Sequence, residues 1–361
     1  MDALLSFLGS IFPCLPNFGG PSISIKNNLY KIVRLLGEGG YSYVYLVSLK
    51  SNSHLYYALK KIRCPMGTRD YTYKNALREL RNYKRFGQSP YVIQSIEERI
   101  MNDADDSSTI YILMPYFEQS LQDIITQNVL LDKLLPEEEV LQLFVGICRG
   151  VQTLHKFKKR ATSSHSDTIS HDSINDEEEG LLPTIGESEV EDAFDGSTEL
   201  EEFSPYAHRD LKPANVMISP EGLPVLIDLG SCSKARVTVL SRQQALQLTE
   251  FAQEHCTLPY RAPELLDVSS NAVITEATDI WSLGCLMYCA CFGYSPFEKM
   301  ELDEGANLTV AISAGKFKYP SGYGNYSPEL IQVINDCLQL DSNKRPTIDQ
   351  LIERCLDLLR R

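Results

Sequence analysis

The chain has 361 residues, 43% hydrophobic and 23% charged, enough apolar material for a sizeable core and too much for a collagen-like or wholly disordered protein. Its formal charge of −14 says little about partners, because fourteen Asp or Glu and no Lys or Arg fall between Ala161 and Phe203. The rest of the chain is balanced, so composition gives no argument for nucleic acid as a partner.

Residues 1–20 place Leu4, Phe7, Leu8, Ile11 and Leu15 at helical spacing until Pro13 interrupts the pattern. The run is too short to span a bilayer and has no basic flank typical of a signal peptide. Asp2 stands where N-myristoylation needs Gly. Cys14, among Phe12, Leu15 and Phe18, suits S-palmitoylation, and the apolar helix would be the second signal that one acyl chain requires. We read 1–20 as a membrane-attachment arm.

Strand-like runs Tyr30–Leu36 and Tyr43–Val47 flank Gly37-Glu38-Gly39-Gly40-Tyr41-Ser42, where glycines let backbone N–H groups approach phosphate oxygens. Tyr57-Ala58-Leu59-Lys60 then reads as a strand with one inward lysine, which requires a carboxylate partner. Before Glu97 only Asp70 and Glu79 are available. Glu79 shares a helix-like face with Ala76, Leu80, Tyr83 and Phe86, and is preferred over Asp70 in its Gly-Thr-Arg-Asp loop. Thr109–Met114 is a buried strand leading into Pro115-Tyr116-Phe117. Val140, Leu143, Phe144, Ile147, Cys148, Val151 and Leu154 mark an amphipathic helix. The acidic segment 161–203 follows, with Glu177-Glu178-Glu179 at its centre. It has too little apolar surface to fold alone and is expected to be a disordered insert whose loop-closure cost leaves the fold intact.

Next comes His208-Arg209-Asp210-Leu211-Lys212-Pro213-Ala214-Asn215, with Asp228 further on. Phosphoryl transfer needs an oriented hydroxyl, a proton acceptor and cations to offset phosphate charge. Asp210 suits the acceptor, Lys212 a cation, and Asn215 and Asp228 are oxygen donors of the kind Mg²⁺ prefers. Val216-Met217-Ile218 and Leu223–Ile227, joined by Pro220-Glu221-Gly222, predict a hairpin with Asn215 at one strand's start and Asp228 at the other's end. Helix formers from Gln243 to Gln253, with Leu246, Leu248 and Phe251, predict a helix. The ten cysteines show no paired metal spacing, so Cys285, Cys289 and Cys291 read as reduced core thiols.

Together with Ala262-Pro263-Glu264 and Asn343-Lys344-Arg345-Pro346, these motifs resemble the eukaryotic protein kinase signature over roughly residues 28–358. Asp228-Leu229-Gly230-Ser231, Met114 to Phe117 and the helical activation segment look like the Numb-associated kinase family, especially its small lipid-anchored and fungal vacuolar-membrane members. The resemblance implies an α+β, bilobal protein kinase fold. Its β-rich N-lobe, with one regulatory helix, would cover 28–114, its hinge 115–119 and its helical C-lobe 120–358. It implies a serine/threonine kinase using ATP and Mg²⁺, acting on protein Ser/Thr hydroxyls.

On that resemblance, Asp210 is the base, Lys212 and Lys60 neutralise phosphate, Glu79 positions Lys60, and Asn215 and Asp228 hold metal. ATP would lie against Leu36, Gly37, Glu38, Gly39, Gly40, Tyr41, Ser42, Tyr43, Val44 and Ala58. Met114 would be the gatekeeper, while Pro115 C=O and Phe117 N–H would read adenine. Glu264 and Arg345 would form a structural ion pair, and Asp279 would support the catalytic loop. Ser42 replaces the usual third glycine and Leu229 the usual Phe. The implied setting is the cytoplasmic face of an endomembrane (vacuole, Golgi or endosome), with a soluble cytosolic pool and a role in membrane trafficking or fusion. A pseudokinase scaffold is the alternative, though such proteins usually lack one of the residues present here.

Overall fold

The computed structural model describes residues 21–103, 106–160, 201–321 and 326–361, in two compact units. The arm 1–20 with Cys14, and most of the insert 161–203, lie outside the described residues. Among the described residues, unit one comprises those from 21 to 76 and from 95 to 116, and unit two those from 77 to 94 and from 117 to 361.

Unit one is a six-stranded antiparallel sheet in the order β1-β2-β3-β4-β6-β5, formed by β1 (Ser22–Ile25), β2 (Asn28–Glu38), β3 (Ser42–Leu49), β4 (Asn52–Cys64), β5 (Glu97–Asn102) and β6 (Ser108–Pro115). The sheet therefore begins upstream of the expected boundary at residue 28, because Ser22–Ile25 pairs along β2 and buries Ile25 completely. Ile25, Tyr30, Val47, Leu59 and Leu113 form its core, the period-2 alternation of a one-sided sheet.

Helix α1 (Tyr71–Phe86) starts after Asp70, whose carboxylate accepts the backbone N–H of Thr72 at 2.9 Å and of Met66 at 3.1 Å. Burial works against ionisation there, but these donors hold the Asp70 carboxyl below the usual range. Asp70 is thus a capping residue.

Unit two contains α2 (Leu121–Leu130), α3 (Glu137–His155), α4 (Arg242–His255), α5 (Ala277–Phe292), α6 (Pro296–Glu304), α7 (Leu308–Ala314), α8 (Pro328–Cys337) and α9 (Ile348–Leu359). Ser120 and Asp123 cap α2 reciprocally. Helix α5 is almost wholly buried, and Trp281 stacks on Phe297 at 5.6 Å. Cys285, Cys289 and Cys291 lie in that core, and no metal cluster occurs among the described residues. No described helix is long and apolar enough to cross a membrane.

Short strands place the loops of this unit: β7 (Gln119–Ser120), β8 (Lys158–Arg160), β9 (Glu201–Phe203), β10 (Tyr206–Ala207), β11 (Val216–Ile218), β12 (Pro224–Leu226), β13 (Ser233–Lys234), β14 (Val237–Thr238) and β15 (Val273–Ile274). The last three residues assigned to the acidic insert are a strand rather than disordered. Glu201-Glu202-Phe203 pairs antiparallel with Lys158-Lys159-Arg160, a register that sets Glu202 opposite Lys159.

Candidate active site

The hairpin read from the sequence is present. Val216 pairs with Leu226, and Ile227 N–H donates to Asn215 C=O at 3.0 Å, which brings the start of β11 beside the end of β12. The turn between them uses Gly222 at φ 84°, where a side chain would be strained. Helix α3 presses on this hairpin at two glycines. A Cβ on Gly146 would sit 2.4 Å from Pro224 Cγ, and one on Gly150 2.8 Å from both Leu226 Cδ1 and Tyr91 O.

Asp210 is held from three directions. Its Oδ2 accepts Lys212 Nζ at 2.8 Å and Asn215 Nδ2 at 3.0 Å, while Oδ1 accepts the Thr257 N–H at 2.8 Å. Lys212 Nζ also donates to Thr257 Oγ1 at 2.7 Å. The carboxylate thus has a fixed orientation, which suits a group that must meet a substrate hydroxyl in one geometry. Asn215 Nδ2 donates a second bond to Asp210 C=O at 2.8 Å. With its amide nitrogen committed to Asp210, its Oδ1 remains the atom suited to a hard cation.

The loop carrying Asp210 is held by Asp279, as expected. Asp279 Oδ2 accepts the His208 N–H at 2.7 Å and His155 Nε2–H at 3.0 Å, and Oδ1 accepts the Arg209 N–H at 2.9 Å. Full burial would raise this carboxyl, but His155 and these donors hold it below its ordinary value. Arg209 adopts φ 67° and Asp228 φ 59°, left-handed conformations that persist only under external constraint. The Arg209 side chain reaches Ser233 Oγ at 2.9 Å and the Lys234 carbonyl at 2.9 Å, tying the loop to β13.

Glu79 and Asp228 both flank Gly230. A Cβ there would lie 3.4 Å from Asp228 Oδ1 and 3.5 Å from Glu79 Oε2. Tyr83 Oη donates to Glu79 Oε1, and Asn82 Nδ2 donates to Leu229 C=O at 3.1 Å and Cys232 C=O at 2.9 Å. Leu229 is fully buried, so an apolar side chain packs where the usual Phe would stand. Ser231 Oγ donates to His208 C=O at 2.7 Å.

In unit one, Lys60 is half-buried on β4, opposite Val44 on β3 and Ile112 on β6. Ala58 lies between Leu46 and Met114, and Met114 is buried. Strands β2 and β3 run further into the glycine-rich stretch than expected, leaving a tight turn closed by Gly39 N–H to Ser42 C=O at 2.8 Å. Leu36 and Val44 are half-buried, Tyr41 and Tyr43 exposed, and Gly37, Glu38 and Gly40 lie on the same exposed hairpin. Ser42 Oγ would meet a Cβ on Gly39 at 3.0 Å, a neighbour that a glycine at 42 would not supply. Pro115 ends β6 opposite Tyr57, and Phe117 opens unit two.

Glu264 and Arg345 form the anticipated pair, bidentate at 2.6 and 2.8 Å. The same guanidinium donates to the carbonyls of Ala277 and Gln339 and lies over Trp281 at 5.1 Å. Sequence reasoning missed Thr257, His155, Tyr83 and the anchoring role of Arg209. Thr257, His155 and Arg209 act through contacts distant in the chain, for which spacing carries no signal, whereas Tyr83 lies one helical turn from Glu79, a spacing that could have found it.

Residues 30–167 and 204–355 match the protein kinase domain, and the gap between them lies within the acidic insert. The chain is 42% identical to serine/threonine-protein kinase ENV7 of Saccharomyces cerevisiae, over 96% of each chain. It is 33% identical to serine/threonine-protein kinase ppk13 of Schizosaccharomyces pombe, again over 96% of each. It is 30% identical to human serine/threonine-protein kinase 16, over 92% of this chain and 91% of the relative. With the catalytic-loop geometry, the bidentate Glu264–Arg345 pair and these matches in hand, the chain belongs to the protein kinase family, among its serine/threonine kinases.

Proposed function

We propose that the chain is a catalytically active kinase that transfers the ATP γ-phosphoryl group to serine and threonine hydroxyls of proteins. The observation that carries this reading is the Asp210 carboxylate, fixed by Lys212, Asn215 and Thr257. The substrate hydroxyl oxygen bonds to the γ-phosphorus, the bond from that phosphorus to the β–γ bridging oxygen breaks, and ADP leaves. The hydroxyl proton passes to Asp210. Lys212 offsets charge on the transferred group, and Lys60 offsets charge on the nucleotide phosphates. Asn215 Oδ1 and Asp228 are the residues that would hold Mg²⁺, which when bound screens phosphate charge.

Asp210→Ala tests this directly. The purified full chain should phosphorylate a protein substrate in magnesium-ATP, and the variant should lose about 10²–10⁴ in kcat. Equal signal from both proteins would favour the pseudokinase reading.

The second part of the proposal concerns place. Support comes from the apolar spacing of residues 4–15 and from Cys14 among Phe12, Leu15 and Phe18. Acylation of Cys14 with insertion of the arm would bring the kinase to the cytoplasmic face of a vacuolar, Golgi or endosomal membrane, where it would act on trafficking or fusion proteins. Cell fractionation of Cys14→Ala measures this; membrane recovery equal to wild type would count against acylation.

A further inference from the structure

The residue before Glu79 has no part in the mechanism above, yet its position is unusual for a surface-helix arginine. Arg78 on α1 is buried, and its Nη2 donates to the Gly230 carbonyl at 3.0 Å. Its guanidinium lies over the Phe251 ring of α4, 5.4 Å from the centroid. Phe251 is itself fixed, buried among Ala245, Leu248, Ala252, Leu265 and Val268, with the His255 ring 4.7 Å away. Three separate segments therefore meet at one side chain: α1, the Asp228-Leu229-Gly230 turn, and the helix of the activation segment.

We propose that Arg78 is a positioning residue for the metal-binding turn, holding Asp228 through the Gly230 carbonyl while Phe251 fixes the guanidinium. Asp228 sits at φ 59°, a conformation the local chain does not favour, so something outside the turn must hold it. Asn82 secures the carbonyls of Leu229 and Cys232, and Arg78 secures that of Gly230. Asn82 bridges α1 to the turn alone. Arg78 also touches α4, so the order of the activation-segment helix is communicated to the metal-binding carboxylate. A planar guanidinium suits both demands at once, since one edge donates to a carbonyl while the face stacks on a ring. Lysine offers charge without the flat face; leucine at 251 offers volume without the π system.

The activity readout rests on the kinase reading above, whereas a backbone readout does not. The experiment uses the full chain as wild type, Arg78→Met, Arg78→Lys, Phe251→Leu and Arg78→Met/Phe251→Leu. Arg78→Met should lower kcat/KM for magnesium-ATP about tenfold to a hundredfold, expressed mainly as a higher KM and a higher magnesium requirement. A loss of folded protein alone would lower kcat and leave KM in place. Arg78→Lys should recover only part of the loss. Phe251→Leu should shift KM in the same direction, and the double variant should be no worse than Arg78→Met.

Amide hydrogen exchange at residues 229–232 should speed up in Arg78→Met and in Phe251→Leu. Unchanged exchange in both, or losses in the two single variants that multiply in the double, would overturn the proposal. If the wild type shows no more turnover than Asp210→Ala, the kinase reading fails and exchange alone decides the role of Arg78.

Discussion

Asp279 Oδ1 accepts the backbone N–H of Arg209 at 2.9 Å, and Arg209 holds a left-handed φ of 67° while it does so. The carboxylate comes from a helix seventy residues downstream and fixes the peptide that precedes Asp210. Asp279→Ala leaves two backbone donors and His155 buried without an acceptor. We expect a loss of about 3–5 kcal/mol in stability and a fall in kcat exceeding any change in KM for ATP. Chemical denaturation and steady-state kinetics measure the two effects; a stable variant with wild-type kcat would show that the loop holds itself.

The Glu264–Arg345 pair has Arg345 fully buried and Glu264 about one-fifth exposed at the side chain. Arg345→Lys preserves charge but not the fork that meets the carboxylate and the carbonyls of Ala277 and Gln339. The expected cost is about 2–4 kcal/mol, seen as a lower unfolding midpoint in denaturant, and Glu264→Gln in the same background should add little. Additive losses from the two changes would argue that the pair is not the source of the effect.

Gly150 tests the packing that carries Asp228. A methyl group there meets Leu226 Cδ1 and the Tyr91 carbonyl oxygen, both at 2.8 Å, and the carbonyl is backbone that cannot swing aside. Although alanine is the better helix former, Gly150→Ala should therefore destabilise by about 1–3 kcal/mol. An increase in thermal unfolding temperature would mean that propensity outweighs the clash.

His255 gives a pH dependence whose sign follows from its surroundings. Burial, and then the charge of Arg78, lower its pKa below 6.5, against the smaller opposite pull of Glu254, Asp228 and Asp210. The unfolded chain then binds the proton more readily than the folded one. Stability is complete above the unfolded value near 6.5 and declines as pH falls toward the folded value. In thermal melts at pH 7.5 and 5.5, His255→Gln should lose less stability on acidification than wild type. Equal losses would assign the acid sensitivity elsewhere.

Much of this site was legible in the chain because its parts are local. The glycine-rich stretch, the strand of Lys60, the helix of Glu79 and the hairpin between Asn215 and Asp228 are each set by spacing within a few residues. The helix from Arg242 to His255 was visible for the same reason. Thr257 was not, because its contacts with Asp210 and Lys212 depend on how a loop folds back across more than forty positions. The strand at Glu201–Phe203 is not legible in composition, because two of its three residues are acidic like the insert they follow. Pairing with a basic partner strand gave it the order that its own composition lacked.

The amino-acid order alone determined which side chains are candidates for the proposed chemistry, since phosphoryl transfer demands particular groups and hydrophobic periodicity places each on its element. Tertiary structure decided which donor meets which acceptor. Arg78 could have faced water, and Asp279 could have been one more buried acid. Packing brought the first against Gly230 and Phe251 and the second beneath the peptides of His208 and Arg209. A buried polar group must find a partner wherever the fold supplies one, and that partner is chosen by proximity in space, which no local pattern records.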